Sequence, residues 1–201
     1  MELSETKDVQ DAILNDTQRA KLVDIIDIRY WHYKVDGLYA PEGGKNLAPR
    51  QHARKMKVGK VTFDEAYRAV SEYRKKFPEK AVTYYAQNYP DMAWAVFMAS
   101  GSCPVVPVAD ESFLTDAAAM DMEDTGTNKY QKLVKSGIGS IIYSHSATDI
   151  PVHLSPGKYI LKSVDPKTGA ITVIANRLNI KDLYMRKAED NKDCIYWFHR
   201  I

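Results

Sequence analysis

A chain of 201 residues, 45% apolar and 27% charged, has room for one sizeable core or two small ones and too much apolar content for a disordered polymer. Its formal net charge of only +2 excludes a global case for binding nucleic acid or an anionic membrane surface, so any basic signal has to be local. No apolar run reaches the roughly 18 residues of a membrane helix, and Met1-Glu2-Leu3-Ser4-Glu5 is not the basic-then-apolar start of a secretion signal. As written, the chain is expected in the cytoplasm or as a piece of something longer.

Val9, Ile13 and Leu14 recur at helical spacing, which predicts a short helix ending near Asn15-Asp16. From Val23 to Trp31 the apolar run Val23, Ile25, Ile26, Ile28 is interrupted only by Asp24 and Asp27, as expected of a strand covered on both faces. Residues 32 to 61 are punctuated by Gly37, Pro41, Gly43, Gly44, Pro49 and Gly59 and hold no period, which reads as a long loop, functional or disordered. Thr62 and Glu65 form a capping box, and Phe63, Ala66, Tyr67, Val70, Tyr73 and Phe77 then repeat at three and four until Pro78 stops the helix. A strand over 81–86 follows, and Asp91 stands where it would cap an all-apolar, buried helix from Met92 to Ser100. Strand, helix, strand, helix is the alternation of a parallel sheet.

The character changes after Pro107. Residues 110–136 read as two short helices around the polar stretch 124–128. From Gly139 the period becomes two, with strands predicted over 140–144, 151–154, 158–164, 170–175 and 194–199. Asp165-Pro166-Lys167-Thr168-Gly169 is a turn, Pro fixing one φ and Gly supplying a positive one. The expected organisation is a βα unit over 1–136 and an antiparallel meander, a small β-sandwich, over 137–201.

Several side chains could carry chemistry. By strand alternation Asp27, Arg29 and Trp31 share one face, an acid, a guanidinium and an indole that suit a sugar, with His32 beside them. The other reading is a buried Asp27–Arg29 ion pair in a parallel strand, with Trp31 in the core. The loop carries Lys45, Arg50, His52, Arg54, Lys55, Lys57 and Lys60 against Glu42 alone, which would receive a uronate, sulfate or phosphate, or simply face water. Gln87, Asn88 and Asp91 lie beyond the predicted second strand, where ligands of α/β sheets bind; Asp91 also fits a helix N-cap. Ser144-His145-Ser146 has no acid at a spacing that suggests a hydrolytic triad. Cys103 and Cys194, 91 residues apart and without CxxC or Cys/His spacing, read as unpaired, largely buried thiols. No nucleotide or metal motif is present, so neither cofactor nor metal is expected.

The stretches DIIDIRYWHY, LYAPEGGKNLAPRQH, EYRKKFPEKAV and AWAVFMASGSCPVVPV, with YSHSA and GKYILKSVDPKTG after them, resemble the carboxyl-terminal part of large uncharacterised proteins of gut Bacteroidetes. Those are predicted glycoside hydrolases, a (β/α)8 barrel followed by a small β-domain, and their full-length members are expected to be exported. The resemblance spans roughly residues 10 to 200. It implies an α/β unit of late barrel strands followed by an all-β domain, together a carbohydrate-associated protein that binds glycan and does not turn over alone; the basic loop adds the expectation of an anionic glycan. Glycosidases of this kind need two carboxyl groups. The end of the second strand, Tyr85-Ala86-Gln87-Asn88-Tyr89, offers no Glu, so the catalytic residues stay unassigned. Two βα units do not close an eight-stranded barrel. Exposed sheet edges would instead favour a self-associating interaction module, a homo-oligomer, or a barrel segment supplied from elsewhere.

Overall fold

The computed structural model describes residues 1–37, 39–41 (backbone only), 61–84, 92–145, 149–187 and 192–201. Its contacts divide the chain into two units, Met1–Val105 and Val106–Ile201, a boundary earlier than the expected 136/137.

The first unit is built on a three-stranded parallel sheet of order β1-β2-β5, with β1 at Glu2–Leu3, β2 at Ile25–Ile28 and β5 at Ala81–Tyr84. Helices α1 (Lys7–Asn15) and α2 (Thr17–Ala20) lead from β1 to β2, and α3 (Phe63–Lys76) precedes β5. Thr62 accepts from the Glu65 amide while Glu65 reaches back to the Thr62 amide, the predicted capping box in full. The sheet has two unlike faces because side chains alternate. Leu3, Ile26, Ile28 and Val82 are all but fully buried, whereas Glu2, Asp27 and Thr83 occupy the alternate positions with Ile25 and Ala81. The predicted strand from Val23 to Trp31 is cut at Arg29-Tyr30, and a separate hairpin follows, β3 (Trp31–Tyr33) antiparallel to β4 (Tyr39–Pro41).

On the helical side lies a buried polar network. Lys7, 6% exposed, donates to Asp11 and Glu72 at 2.8 and 2.9 Å and sits over the Trp31 and Tyr73 rings. Glu72 also accepts from Lys76 and from the Tyr33 hydroxyl, and Tyr73 donates to Asp11 at 2.8 Å. Burial alone would raise the Glu72 pKa, but the hydrogen bonds from Lys76, Tyr33 and Lys7 outweigh it and lower it to about 2. After α4 (Ala93–Met98) the chain returns along β5, where the Ser102 amide donates to the Val82 carbonyl and the Val82 amide to the Ser102 hydroxyl.

The second unit opens with α5 (Glu111–Ala119), its amide at Phe113 capped by Asp110. A six-stranded antiparallel sheet follows, in the order β11 (Ile171–Ile180), β10 (Gly157–Val164), β13 (Cys194–Arg200), β8 (Gly139–Ser144), β7 (Tyr130–Lys135), β6 (Asp121–Glu123). The second helix expected within 110–136 is therefore β6 and β7: Tyr130, Leu133 and Val134 mimic a helical period, but β7 pairs on both sides, with β6 and β8. The connectivity is not a meander, since the C-terminal β13 inserts between β8 and β10. Strands β9 (Asp149–His153) and β12 (Leu183–Lys187) form a separate antiparallel pair.

Two cores flank the large sheet. On one face Tyr130, Ile142, Tyr159, Leu161, Tyr196 and Phe198 pack with Ile150, Val152 and Leu154 from β9 and its continuation. On the other, fully buried Trp197 meets Phe113 of α5 edge-to-face at 5.3 Å, and its indole N–H donates to Asp116 at 2.8 Å. The β10–β11 turn forms as predicted: Asp165 accepts from the amides of Lys167 and Thr168, and Gly169 adopts φ +72°. Gly169 also passes so close to the Pro107 carbonyl that a Cβ would lie 1.9 Å from it. Among the described residues no barrel is closed, and no helix is long and apolar enough to cross a membrane.

Candidate functional site

In open α/β sheets ligands gather beyond the carboxyl ends of the strands, where side chains of adjacent strands converge. In the first unit the face of Glu2, Asp27 and Thr83 opens onto a cavity of about 500 Å³ that also reaches Arg29, Tyr84 and the 102–105 segment. Asp27 is 2% exposed and fully engaged: it accepts from Arg29 Nε at 2.7 Å, Thr83 Oγ1 at 2.8 Å and Ser4 Oγ at 3.1 Å. A buried carboxylate requires such donors, and three of them hold Asp27 in one orientation. The guanidinium of Arg29 extends toward Glu2, Nη2 to carboxylate 3.7 Å. Burial opposes the Arg29 charge, but the Asp27 carboxylate outweighs it and raises the pKa.

Asp27 and Arg29 thus lie together on the cavity wall. Trp31 does not join them. The alternation that put the three on one face stops at the bend between β2 and β3. The Trp31 indole, 2% exposed, donates to Gln10 of α1 at 2.7 Å and packs edge-on against Tyr33 and Tyr73. An indole held there offers no stacking face to a sugar. His32 is half-buried, and its Nδ1 has no hydrogen-bond partner among the described residues. Desolvation lowers its pKa against the pull of Glu65. Arg50, His52, Gln87, Asn88 and Asp91, with the rest of the basic loop, lie outside the described residues.

Sequence reasoning missed Glu2, Thr83 and Cys103 as wall residues. The two-residue β1 is too short to announce itself, and the pairing of Thr83 with Asp27 appears only once β2 and β5 are aligned. Cys103 corrects the expectation of a buried thiol: it is exposed at the cavity, with φ +56°. In the second unit His145 stands 3.4 Å from Asp193 and 3.0 Å from Gln131, so both ring nitrogens are engaged, and neighbouring Ser144 is 1% exposed. That arrangement presents no nucleophile. Among the described residues no group of His, Cys, Asp and Glu is gathered as a metal site would require.

A family model described as a domain of unknown function, DUF6298, matches residues 1–120, more than half of the chain. The chain belongs to the DUF6298 family. No curated protein matches it in sequence. Among solved structures, a glycoside hydrolase family 5 protein from Bacteroides vulgatus aligns over 94% of this chain and 52% of its own, with TM-score 0.52 and 9% identity. A second glycoside hydrolase covers 92% and 54% at TM-score 0.49 and 9% identity. A family 44 xyloglucanase from Paenibacillus polymyxa covers 98% and 53% at TM-score 0.41 and 12% identity. The DUF6298 chain therefore spans about half the length of the solved structures it matches, and at 9% identity the likeness to the family 5 structure is one of fold.

Proposed function

We propose that this DUF6298 chain is a carbohydrate-associated protein, a portion of a glycoside-hydrolase-like architecture that contributes glycan binding and performs no hydrolysis by itself. In this reading β1, β2 and β5 are neighbouring strands of a (β/α) barrel, and the second unit is the appended small β-sandwich. The observation that carries it is the two-faced parallel sheet: one face is buried against helices, and the other carries Glu2, Asp27 and Thr83 beside Ile25 and faces a cavity, as the inner wall of a barrel would. The fold likeness to a family 5 glycoside hydrolase supports the same reading. The state of Asp27 supports the absence of turnover. A glycosidase needs one carboxyl group to protonate the leaving oxygen and another to attack or to activate water, whereas Asp27 has its oxygens occupied by Arg29, Thr83 and Ser4.

The test is a glycan array with the 201-residue chain, followed by calorimetry and a hydrolysis screen on the glycans retained. Saturable binding without product is expected; no binding to any glycan, or turnover by the chain alone, would overturn the proposal. A second reading, a self-associating interaction module, is favoured by one observation. The ten-residue β11 is an edge strand with Val173 and Ile174 exposed, a template for pairing with another chain. Light scattering that shows a concentration-independent monomer would exclude it.

A further inference from the structure

We infer that the cavity beside β2 selects neutral, hydroxyl-rich saccharides over uronic or sulfated ones. The inference rests on the carbohydrate reading above and names the ligand class of that site. Its basis is the charge of the wall. Glu2, Asp27 and Arg29 are the acidic and basic side chains among the described lining residues, so two carboxylates face one guanidinium and the described part of the wall is net negative. Arg29 is committed from both sides, hydrogen-bonded to buried Asp27 at 2.7 Å and 3.7 Å from Glu2, the more exposed of the two acids. An incoming carboxylate or sulfate would add a third negative charge beside Asp27 and would meet Glu2 at close range.

A sugar hydroxyl has no such conflict. It brings no charge to set against the wall and can donate to the Glu2 carboxylate, which is 51% exposed. The remainder of the wall, with Met92, Ala93, Val96 and Pro104, is apolar and suits the C–H face of a pyranose ring.

Cys103 supplies the readout. It is an exposed thiol on the cavity wall, and with Cys194 replaced by Ser it is the one cysteine left to label. Maleimide labelling of Cys194→Ser would be timed with tetrasaccharides of glucose, xylose, galacturonate and glucuronate, and with inorganic sulfate. Neutral oligosaccharides should protect the thiol with Kd at least about tenfold below that of uronates, the effect of one uncompensated charge at the wall. Adding Glu2→Gln should bring the two classes to within about twofold by removing the excess negative charge. Tighter protection by uronates or sulfate would overturn the inference and leave the carbohydrate reading standing. Protection by no saccharide, in labelling and array alike, would remove both.

Discussion

The two units bury side chains by opposite means. The first ties its sheet to its helices with ions and hydrogen bonds: Lys7 between Asp11 and Glu72, Asp27 between Arg29 and Thr83, and Lys80 donating to the carbonyls of Ala20 and Val23 at 2.8 Å. The second is held by aromatic and branched cores on both faces of one broad sheet, Trp197 on one and Tyr159, Tyr196 and Phe198 on the other. A short parallel sheet with one face opening on a cavity has less apolar surface to bury, so polar contacts have to fix its geometry. An antiparallel sheet covered on both sides needs few of them. Directional bonds also hold Asp27 and Arg29 where hydrophobic packing alone would leave them free to turn.

This contrast can be broken from either side. Trp197→Ala should be the largest single loss, about 4 kcal/mol, since it empties a fully buried site and strips Asp116 of a donor. Hydrogen exchange should show the loss in β8, β10 and β13, with the amides of β2 and β5 unchanged. Lys7→Met should cost the first unit about 3 kcal/mol in chemical denaturation, because Glu72 and Asp11 lose their shared cation. If the substitution is neutral, the polar network is not what holds that unit. Acid should separate the units without mutation. The fold favours the ionised Glu72, so its contribution is complete above the ordinary pKa of 4.5 and is lost as pH falls through about 2. Across that window the first unit should lose about 2 kcal/mol, and Glu72→Gln should flatten the dependence. Smallest is Thr62→Ala, about 1 kcal/mol from α3, seen as a lower melting temperature.

What could be read in the sequence follows the range of each interaction. The capping box and period of α3, the 165–169 turn and most strands of the second unit are local patterns, and they were legible. β7 and β12 were not: β7 repeats like a helix over six residues, and β12 becomes a strand by pairing with β9, thirty residues away in the chain. The bonds from Trp197 and His199 to Asp116 join residues 81 and 83 apart and leave no local trace. Of the site, Asp27 and Arg29 were visible because they interrupt an apolar run. Trp31 was placed on their face by an alternation that the backbone abandons at Tyr30, and Glu2, Ser4 and Thr83 gained meaning only from strand pairing.

Gln10 sits at the centre of these bonds. Its amide nitrogen donates to the carbonyls of Leu3 on β1 and Asp27 on β2, while its oxygen accepts from the Trp31 indole. Two residues of strand are too few to define a register by ladder bonds alone. A helix-borne amide with one donating and one accepting end does it in their place, working as a keyed connector that fits in a single polarity. The first strand and first helix are therefore one inseparable part. A graft or redesign that moved β1 without Gln10 would carry the strand's residues and lose the instruction for where to lay them, and Glu2 would leave the wall with them.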